Sequence, residues 1–282
     1  MRKLFNKICI PIDFSENSRK SIENAVVFAR QYKCSIHLLY VITFSSLGTT
    51  SMPGGHVFTA PDFEEYKELY DKQFEAICKS LDLSGDNFIR IDFTVQAGAW
   101  DESIIDFVSN NKIDLVLIGI TGKTFGRKKI KLNPDFIAEK ANVAVVTIPG
   151  NRNLVKLGNI VIPITNFLPV RKLMYGIYLA IHFDTTIRLL GIENLDTSGL
   201  VNYYLKKSYQ LIRDNSSVKV ETQVVYGRNV AEVLSHFSVT RMADLIIVNP
   251  GAQTRMPGFF SSLIGNVLQK YSAPPVLSIS PL

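Results

Sequence analysis

The stretch KICIPIDFS, residues 7–15, decides the fold, because a similar stretch, GNIVIPITNF, occurs again at residues 158–167. Each consists of a short apolar run with a proline near its end and a polar residue after it. An apolar run of this length, bounded by a turn signal, is typical of a buried strand. The second occurrence indicates an internal repeat, and a repeat has to be identified before any other feature is interpreted.

Four further segments recur in the same order, so the repeat extends over the whole chain. The pairs are IHLLYVI (36–42) with IRLLGIE (187–193), FTVQAGAWDESIIDFV (93–108) with TQVVYGRNVAEVLSHF (222–237), IDLVLIG (113–119) with ADLIIVN (243–249), and AVVTIPG (144–150) with PVLSISP (275–281). We therefore predict two domains, residues 1–150 and residues 151–282. The first copy carries an extra stretch rich in Ser, Thr and Gly, residues 43–62, which we interpret as a mobile flap.

Strands and helices alternate along each copy. The predicted strands are continuous apolar runs, whereas the predicted helices repeat their apolar residues every three or four positions. This combination indicates a parallel sheet that is covered on both faces. Each copy is therefore predicted to be a doubly wound, five-stranded, Rossmann-like α/β domain. Ligands of such sheets bind beyond the carboxyl ends of the strands, where this sequence has Asp13, Thr43, Gly98, residues 119–122, Thr165, Gly227 and residues 249–251.

Composition and charge indicate which classes of protein this chain does not resemble. The chain has 282 residues, of which 46% are hydrophobic and 20% are charged, and these values are ordinary for a globular protein. No apolar run reaches about 18 residues, and no cleavage site follows the basic start, so we expect a cytoplasmic protein without membrane span or leader. The net charge of +6 favours anions only mildly and does not predict nucleic-acid binding. Three cysteines without metal or redox spacing are expected to be inert.

Motifs of catalysis are not found in the sequence. The four histidines, His37, His56, His182 and His236, are scattered and have no metal-binding spacing. The sequence has no nucleophile elbow, no P-loop and no glycine-rich dinucleotide fingerprint after its first strand. We therefore expect a protein that is not an enzyme and binds no metal. A weak ATPase ranks last among the alternatives, because no side chain is an evident base for activating water.

The order of PIDFS, LLYVI, IDLVLIGITG and VAVVTIP, and of PITNF, LLGIE, ADLIIVNPG and PPVLSISP, resembles the universal stress protein family, twice. The resemblance implies a fold like that of the adenine nucleotide alpha hydrolases and a stress-response binding or sensing role, with ATP or another adenine nucleotide as ligand. Family members usually dimerise through the last strand, so residues 144–148 and 276–280 are implied to pair as an internal pseudo-dimer. A homodimer of whole chains is a further expectation.

The family's nucleotide site combines an acidic residue after the first strand with the pattern G-x2-G-x9-G-[ST] after the fourth. Copy one retains the adenine half, and its implied cofactor-binding residues are Asp13, Val41, Gly119, Gly122 and Asn133. Leu132 replaces the third glycine and Pro134 removes an N–H donor, so the phosphate half is incomplete. Copy two has Thr165 in place of the acid but keeps Gly251, Ser261 and Ser262, with Gly265 and Asn266 as a rival match.

Each of these residues also has a structural interpretation. Asp13 could cap the following helix instead of binding a ligand. Gly119 and Gly122 could serve a tight turn, and the basic run at Lys123, Arg127, Lys128, Lys129 and Lys131 could be a solvated loop. The alternative function is a ligand-free scaffold that acts through protein–protein contacts.

Overall fold

The structure, a computed structural model, describes residues 3–43, 60–81, 89–120, 132–150, 152, 154, 157–182, 184–193, 199–227, 230–250 and 274–281. Apart from its ends, the predicted flap at residues 43–62 lies outside these ranges. The basic run from Lys123 to Lys131 lies outside them as well.

Strands and helices alternate in both copies, as the apolar patterns predict. The elements of copy one are β1 (Lys7–Pro11), α1 (Glu16–Tyr32), β2 (Ser35–Ile42), α2 (Ala60–Ser80), β3 (Ile91–Ala97), α3 (Trp100–Asn110), β4 (Leu115–Ile120), α4 (Pro134–Lys140) and β5 (Ala144–Pro149). Those of copy two are β6 (Asn159–Ile164), α5 (Val170–Ile181), β7 (Thr186–Glu193), α6 (Leu200–Asn215), β8 (Lys219–Tyr226), α7 (Val230–Thr240), β9 (Leu245–Val248) and β10 (Val276–Ser278).

The described strands form one sheet of ten, in the order β3-β2-β1-β4-β5-β10-β9-β6-β7-β8. Within each half all strand pairs are parallel, and the order of the five strands is the same. The halves meet where β10 pairs antiparallel with β5, with Leu277 opposite Val146. The two edges that the family resemblance implied to pair are therefore hydrogen-bonded neighbours, and neither is left open to pair with another chain.

Burial explains why these strands read as unbroken apolar runs. Every residue of β4 and every residue of β9 is buried, because helices cover both faces of the central sheet. The outer strand β8 has no buried residue, and all of its positions are partly exposed or exposed. Its weaker apolar character follows from its place at the edge of the sheet.

A second contact between the halves is made by aromatic side chains of α1, α5 and the N-terminal segment. The Phe5 ring lies 5.3 to 5.8 Å from the rings of Phe28, Tyr32, Tyr175 and Tyr178. Tyr32 stacks on Tyr178 at 5.4 Å, and burial raises the pKa of the Tyr32 hydroxyl. Each such ring pair contributes about 0.5–1.5 kcal/mol beyond its buried area. The two halves thus share one core.

One aspartate in each copy fastens the first strand of that copy to the fourth. The Asp114 Oδ2 atom accepts hydrogen bonds from the backbone N–H groups of Asn6 (2.7 Å) and Lys7 (3.1 Å). In copy two the Asp244 Oδ2 atom accepts from Gly158 and Asn159, both at 2.8 Å. The Asp that recurs in IDLVLIG and ADLIIVN therefore satisfies two backbone donors at the start of the first strand of its copy.

Replacing Asp244 with alanine is expected to lower the free energy of unfolding by about 1–3 kcal/mol, because two partly buried N–H groups lose a charged acceptor. Urea unfolding followed by circular dichroism measures the change. Asp106→Ala serves as the matched control, because Asp106 is exposed on α3, and its loss is expected to cost less than about 0.5 kcal/mol. Equal losses in both variants would contradict the assigned role of Asp244.

Candidate functional site

Two crevices are candidates for a site, one at the carboxyl ends of the strands of each copy. They lie at opposite sides of the sheet along the direction of the strands. Because β10 runs antiparallel to β5, the carboxyl ends of the copy-one strands share an edge with the amino ends of the copy-two strands. The reverse holds at the other edge. A ligand bound in the crevice of one copy can therefore also reach residues that precede the strands of the other copy.

In copy one, Asp13 is bonded within the turn that starts α1. Its Oδ1 atom accepts hydrogen bonds from the Ser15 N–H (3.1 Å) and from the Ser18 hydroxyl. Ser15 itself is the N-cap, and its side chain accepts from the Ser18 N–H at 3.3 Å. Asp13 thus fixes the positions of Ser15 and Ser18, the two residues that form the helix cap. Its assignment as a nucleotide ligand remains a prediction.

Aromatic rings pack beside this strand end. Phe14, in the left-handed region with φ 59°, stacks on Tyr70 of α2 at 5.4 Å. The Tyr40 hydroxyl donates to the Tyr70 oxygen at 3.0 Å, and burial raises the pKa of Tyr40. Val41 is buried in β2, two positions after Leu39, which pairs with Pro11. The apolar spacing of Tyr70 and Phe74 predicts that α2 faces inward but does not reveal this cluster.

Gly119 lies inside β4, opposite Ile148, and not in the turn after the strand. A Cβ atom at this position would lie 2.0 Å from the Ser21 Oγ atom and 3.0 Å from the Asn17 carbonyl oxygen. Helix α1 therefore packs so closely on the strand end that only glycine fits there. This packing role is neither of the two interpretations, turn or phosphate loop, that the sequence allowed.

Asn133, the fifth residue implied in copy one, is the N-cap of α4. Its Oδ1 atom accepts from the Phe136 N–H at 3.1 Å, and its own N–H donates to Asp101. Pro134 occupies the first turn of the helix, where a missing N–H costs nothing. Gly122, Gly251, Ser261 and Ser262 lie outside the described residues. The ligand roles of all these residues remain predictions.

In copy two the described residues enclose a cavity of about 950 Å³ at the carboxyl ends of β6 and β9. Copy two contributes the turn after β6, the first residues of α5, and the ends of β9 and β10. Copy one contributes residues that precede β1, β4 and β5. Its polar and charged lining residues include Lys3, Asp114, Asn142, Arg171, Lys172 and Asn249. The cavity is therefore shared between the halves, as expected at an edge where opposite strand ends meet.

The side chain of Lys172 is a buried cation of this cavity. Only 5% of the residue is exposed, its Nζ atom donates to the Pro163 carbonyl oxygen at 2.9 Å, and it lies 5.8 Å from the Phe167 ring centre. Within the described ranges no carboxylate forms an ion pair with it. Burial lowers the pKa of the Lys172 amine from 10.5 to about 7.

Arg171, the neighbouring residue, joins the two halves at the wall of the cavity. Its guanidinium donates to the Asn142 Oδ1 atom at 2.5 Å, to the Ser280 carbonyl oxygen at 2.8 Å and to the Asn142 carbonyl oxygen. Lys3 adds another cation to the lining, whereas Asp114, whose Oδ2 atom is bonded to backbone N–H groups, is the one carboxylate among the described lining residues. The lining therefore favours an anion.

Asn249, at the end of β9, holds an unsatisfied acceptor in the same lining. Its Nδ2 atom donates to the Ile279 carbonyl oxygen at 2.8 Å, which fixes the orientation of the amide. Its Oδ1 atom is buried and has no hydrogen-bond partner among the described residues, and only 8% of the residue is exposed. A buried acceptor without a partner is rare enough in proteins to require an explanation.

Metal binding and membrane insertion find no support in the described part of the chain. No group of three or more His, Cys, Asp or Glu side chains is placed there to hold a metal ion. None of the helices in these ranges combines the length and apolar character that crossing a membrane requires.

Comparison with known proteins gives consistent matches. Residues 4–149 match the family model described as the universal stress protein family. A universal stress protein of Methanocaldococcus jannaschii is 25% identical over 130 residues, which are 46% of this chain and 72% of that protein.

Solved structures match over nearly the whole chain. A universal stress protein from Archaeoglobus fulgidus matches with a TM-score of 0.74 and 16% identity, covering 99% of this chain and 98% of its own. A putative universal stress protein from Pseudomonas aeruginosa matches with a TM-score of 0.58 and 15% identity, covering 98% and 94%. At these identities the two structures show that the fold is shared.

Replacing Gly119 with alanine is expected to destabilise the protein by about 1–3 kcal/mol, because the new methyl group would overlap Ser21. Thermal unfolding followed by circular dichroism measures this loss. The double variant Gly119→Ala/Ser21→Ala is expected to recover part of it, since the closest overlapping atom is removed. A neutral Gly119→Ala variant would show that α1 does not lie this close to β4.

Lys172 is expected to make stability depend on pH. Between pH 7 and pH 10.5 the unfolded state binds more protons at this lysine than the folded state, so the free energy of unfolding rises as pH rises. Lys172→Met should remove this rise and be more stable than the wild type at pH 7, by on the order of 2 kcal/mol.

Urea unfolding at pH values from 7 to 9.5 tests this dependence. Lys20→Met is the matched control, because Lys20 lies near the start of the corresponding helix of copy one and its side chain is 44% exposed, with its Nζ atom paired with Glu16. This control is expected to keep the pH profile of the wild type. Parallel profiles for the wild type and Lys172→Met would contradict the burial of the charge.

Proposed function

Because this chain belongs to the universal stress protein family, we propose that it is a stress-response binding protein that takes up an adenine nucleotide between its two halves. The cavity at the carboxyl ends of the copy-two strands is the observation that carries the proposal. It lies where ligands of doubly wound sheets bind.

The size of the cavity supports a ligand as large as a nucleotide. Small-molecule sites in proteins span about 300–1,000 Å³, and this cavity has about 950 Å³. Its lining also suits an adenine nucleotide chemically. Lys3, Arg171 and Lys172 supply positive charge for phosphate oxygens, and Phe167 and Tyr175 supply aromatic surface for a base.

Copy two supports the proposal better than copy one. In copy one, Asp13 is already bonded to Ser15 and Ser18, and Gly119 is covered closely by Ser21. In copy two the corresponding strand end opens into the cavity. The division into domains at residue 150, a cytoplasmic location and the pairing of two chains are further parts of the proposal.

Binding, without turnover, is the proposed activity. As far as the structure describes it, the cavity lining holds basic side chains, amides and one carboxylate, Asp114, which is bonded to the backbone of Asn6 and Lys7. A general base for activating water needs a free acceptor near the substrate. We therefore propose that a bound nucleotide is retained and not hydrolysed.

A ligand-free scaffold is the second candidate function. Exposed aromatic and apolar residues on α6 and at the end of β8 favour it: Leu200, Tyr203, Tyr209 and Tyr226, the last 77% exposed. Aromatic residues of this kind are enriched at protein–protein interfaces. This candidate requires no small molecule, so the same experiment separates it from nucleotide binding.

The experiment is to purify the full chain without added nucleotide, denature it and identify released small molecules by mass spectrometry, followed by calorimetric titration with ATP. We expect an adenine nucleotide at close to one per chain, or one titrating site in chains purified empty. No released nucleotide and no heat would contradict the proposal and favour the scaffold.

The variant Asp13→Asn distinguishes binding in the copy-one crevice from binding in the copy-two cavity. Asparagine keeps the Oδ1 acceptor that the turn needs but removes the carboxylate charge, so the fold is expected to be retained. If the nucleotide binds in the copy-two cavity, this variant is expected to bind ATP within about twofold of the wild type, because the charge lies at the opposite edge of the sheet. Loss of binding would place the ligand in copy one.

A further inference from the structure

Two positions at the strand end differ in chemistry between the copies. The buried faces of α1 and α5 correspond, with Ile22, Ala25 and Ala29 of α1 matching Leu173, Gly176 and Ala180 of α5. In the same alignment Ser21 of α1 corresponds to Lys172 of α5. Likewise, IDLVLIG and ADLIIVN align Gly119 of copy one with Asn249 of copy two.

In copy one, helix α1 and strand β4 are in close contact at these two positions. A Cβ atom on Gly119 would lie only 2.0 Å from the Ser21 Oγ atom, so no side chain larger than hydrogen fits. In copy two the corresponding residues are a lysine and an asparagine, both longer than the serine and glycine they replace. These longer side chains require more room between helix and strand, and both of them line the cavity.

Both copy-two side chains also have unused hydrogen-bonding capacity. The Lys172 ammonium has three N–H donors, and one of them donates to the Pro163 carbonyl oxygen. The buried Asn249 Oδ1 atom has no partner in the part of the chain that the structure describes. Leaving a buried charge and a buried acceptor unpaired costs free energy that a ligand with the complementary groups would recover.

The geometry points to a two-point ligand site in which Lys172 binds an anionic group and the Asn249 Oδ1 atom accepts a hydrogen bond from an N–H or O–H group. The ligand class is therefore a small anion that also carries a hydrogen-bond donor. This inference rests on the proposed function and deepens it. An adenine nucleotide meets both requirements, since its phosphate is the anion and its amino or hydroxyl groups are the donors.

The other charged residues of the described lining are Arg171, Lys3 and Asp114. Arg171 is bonded to Asn142 and Ser280, so it holds the wall and adds positive charge without being free to follow a ligand. Lys3 adds positive charge from copy one, and Asp114 is bonded to backbone N–H groups. Lys172 and Asn249 are therefore the pair whose replacement should change binding most.

The test is calorimetric titration of the full chain with two probes, ATP and inorganic phosphate, at pH 6.5. The variants are Lys172→Met, Asn249→Asp and the control Lys20→Met. Lys172→Met removes the cation, and Asn249→Asp replaces the amide with a carboxylate. Each is expected to weaken ATP binding at least tenfold, because the first variant loses a charge-assisted contact and the second adds a negative charge to the lining. The control is expected to bind like the wild type.

Thermal unfolding of the same variants excludes misfolding as the cause. Lys172→Met removes a buried charge, so it is expected to melt at or above the wild-type temperature while binding more weakly. Asn249→Asp loses the N–H donor to the Ile279 carbonyl oxygen, so a lower melting temperature is expected of this variant. Weaker binding together with a lower melting temperature in Lys172→Met would contradict the assignment, because general destabilisation would then explain the loss.

The outcomes separate this inference from the proposed function. Equal ATP binding by the wild type and both variants would overturn the two-point site while leaving nucleotide binding intact. No heat with ATP, but phosphate binding that depends on Lys172, would support the site and overturn the nucleotide as its ligand. No heat with either probe would overturn both.

Discussion

The antiparallel pairing of β5 with β10 is the constraint on which the rest of the structure depends. It joins two parallel five-stranded halves into one sheet and points their strands in opposite directions. The carboxyl ends of one half therefore lie beside the amino ends of the other. The cavity with Lys172 and Asn249 on one side and Lys3 and Asn142 on the other follows directly from this arrangement.

The sizes of two side chains between helix and strand distinguish the two crevices, although the halves share a fold. In copy one, Ser21 and Gly119 are small enough to let α1 lie on the strand end, and aromatic rings occupy the space beside Asp13. In copy two a lysine and an asparagine hold the corresponding place. We propose that the two halves keep a similar core and divide their roles, so that one half contributes packing and the other a ligand site.

Features that depend on local pattern can be predicted from the sequence. The apolar runs indicate the strands, apolar residues at every third or fourth position indicate the helices, and the repeat indicates the two halves. Features that depend on distant contacts cannot be predicted in this way. The sequence allows a turn or a phosphate loop at Gly119, whereas the neighbour of this residue in space is Ser21. The burial of Lys172 is equally unpredictable, because a single lysine in a helix is usually at the surface.

We propose that the ligand binds between the halves, and a crystal structure of the full chain grown with ATP will show where it binds. We expect nucleotide density in the cavity at the carboxyl ends of β6 and β9. Phosphate oxygens should lie within hydrogen-bond distance of the Lys172 Nζ atom, and a donor of the ligand should face the Asn249 Oδ1 atom. Density beside Asp13 at the opposite edge of the sheet, with the cavity holding only water, would contradict it.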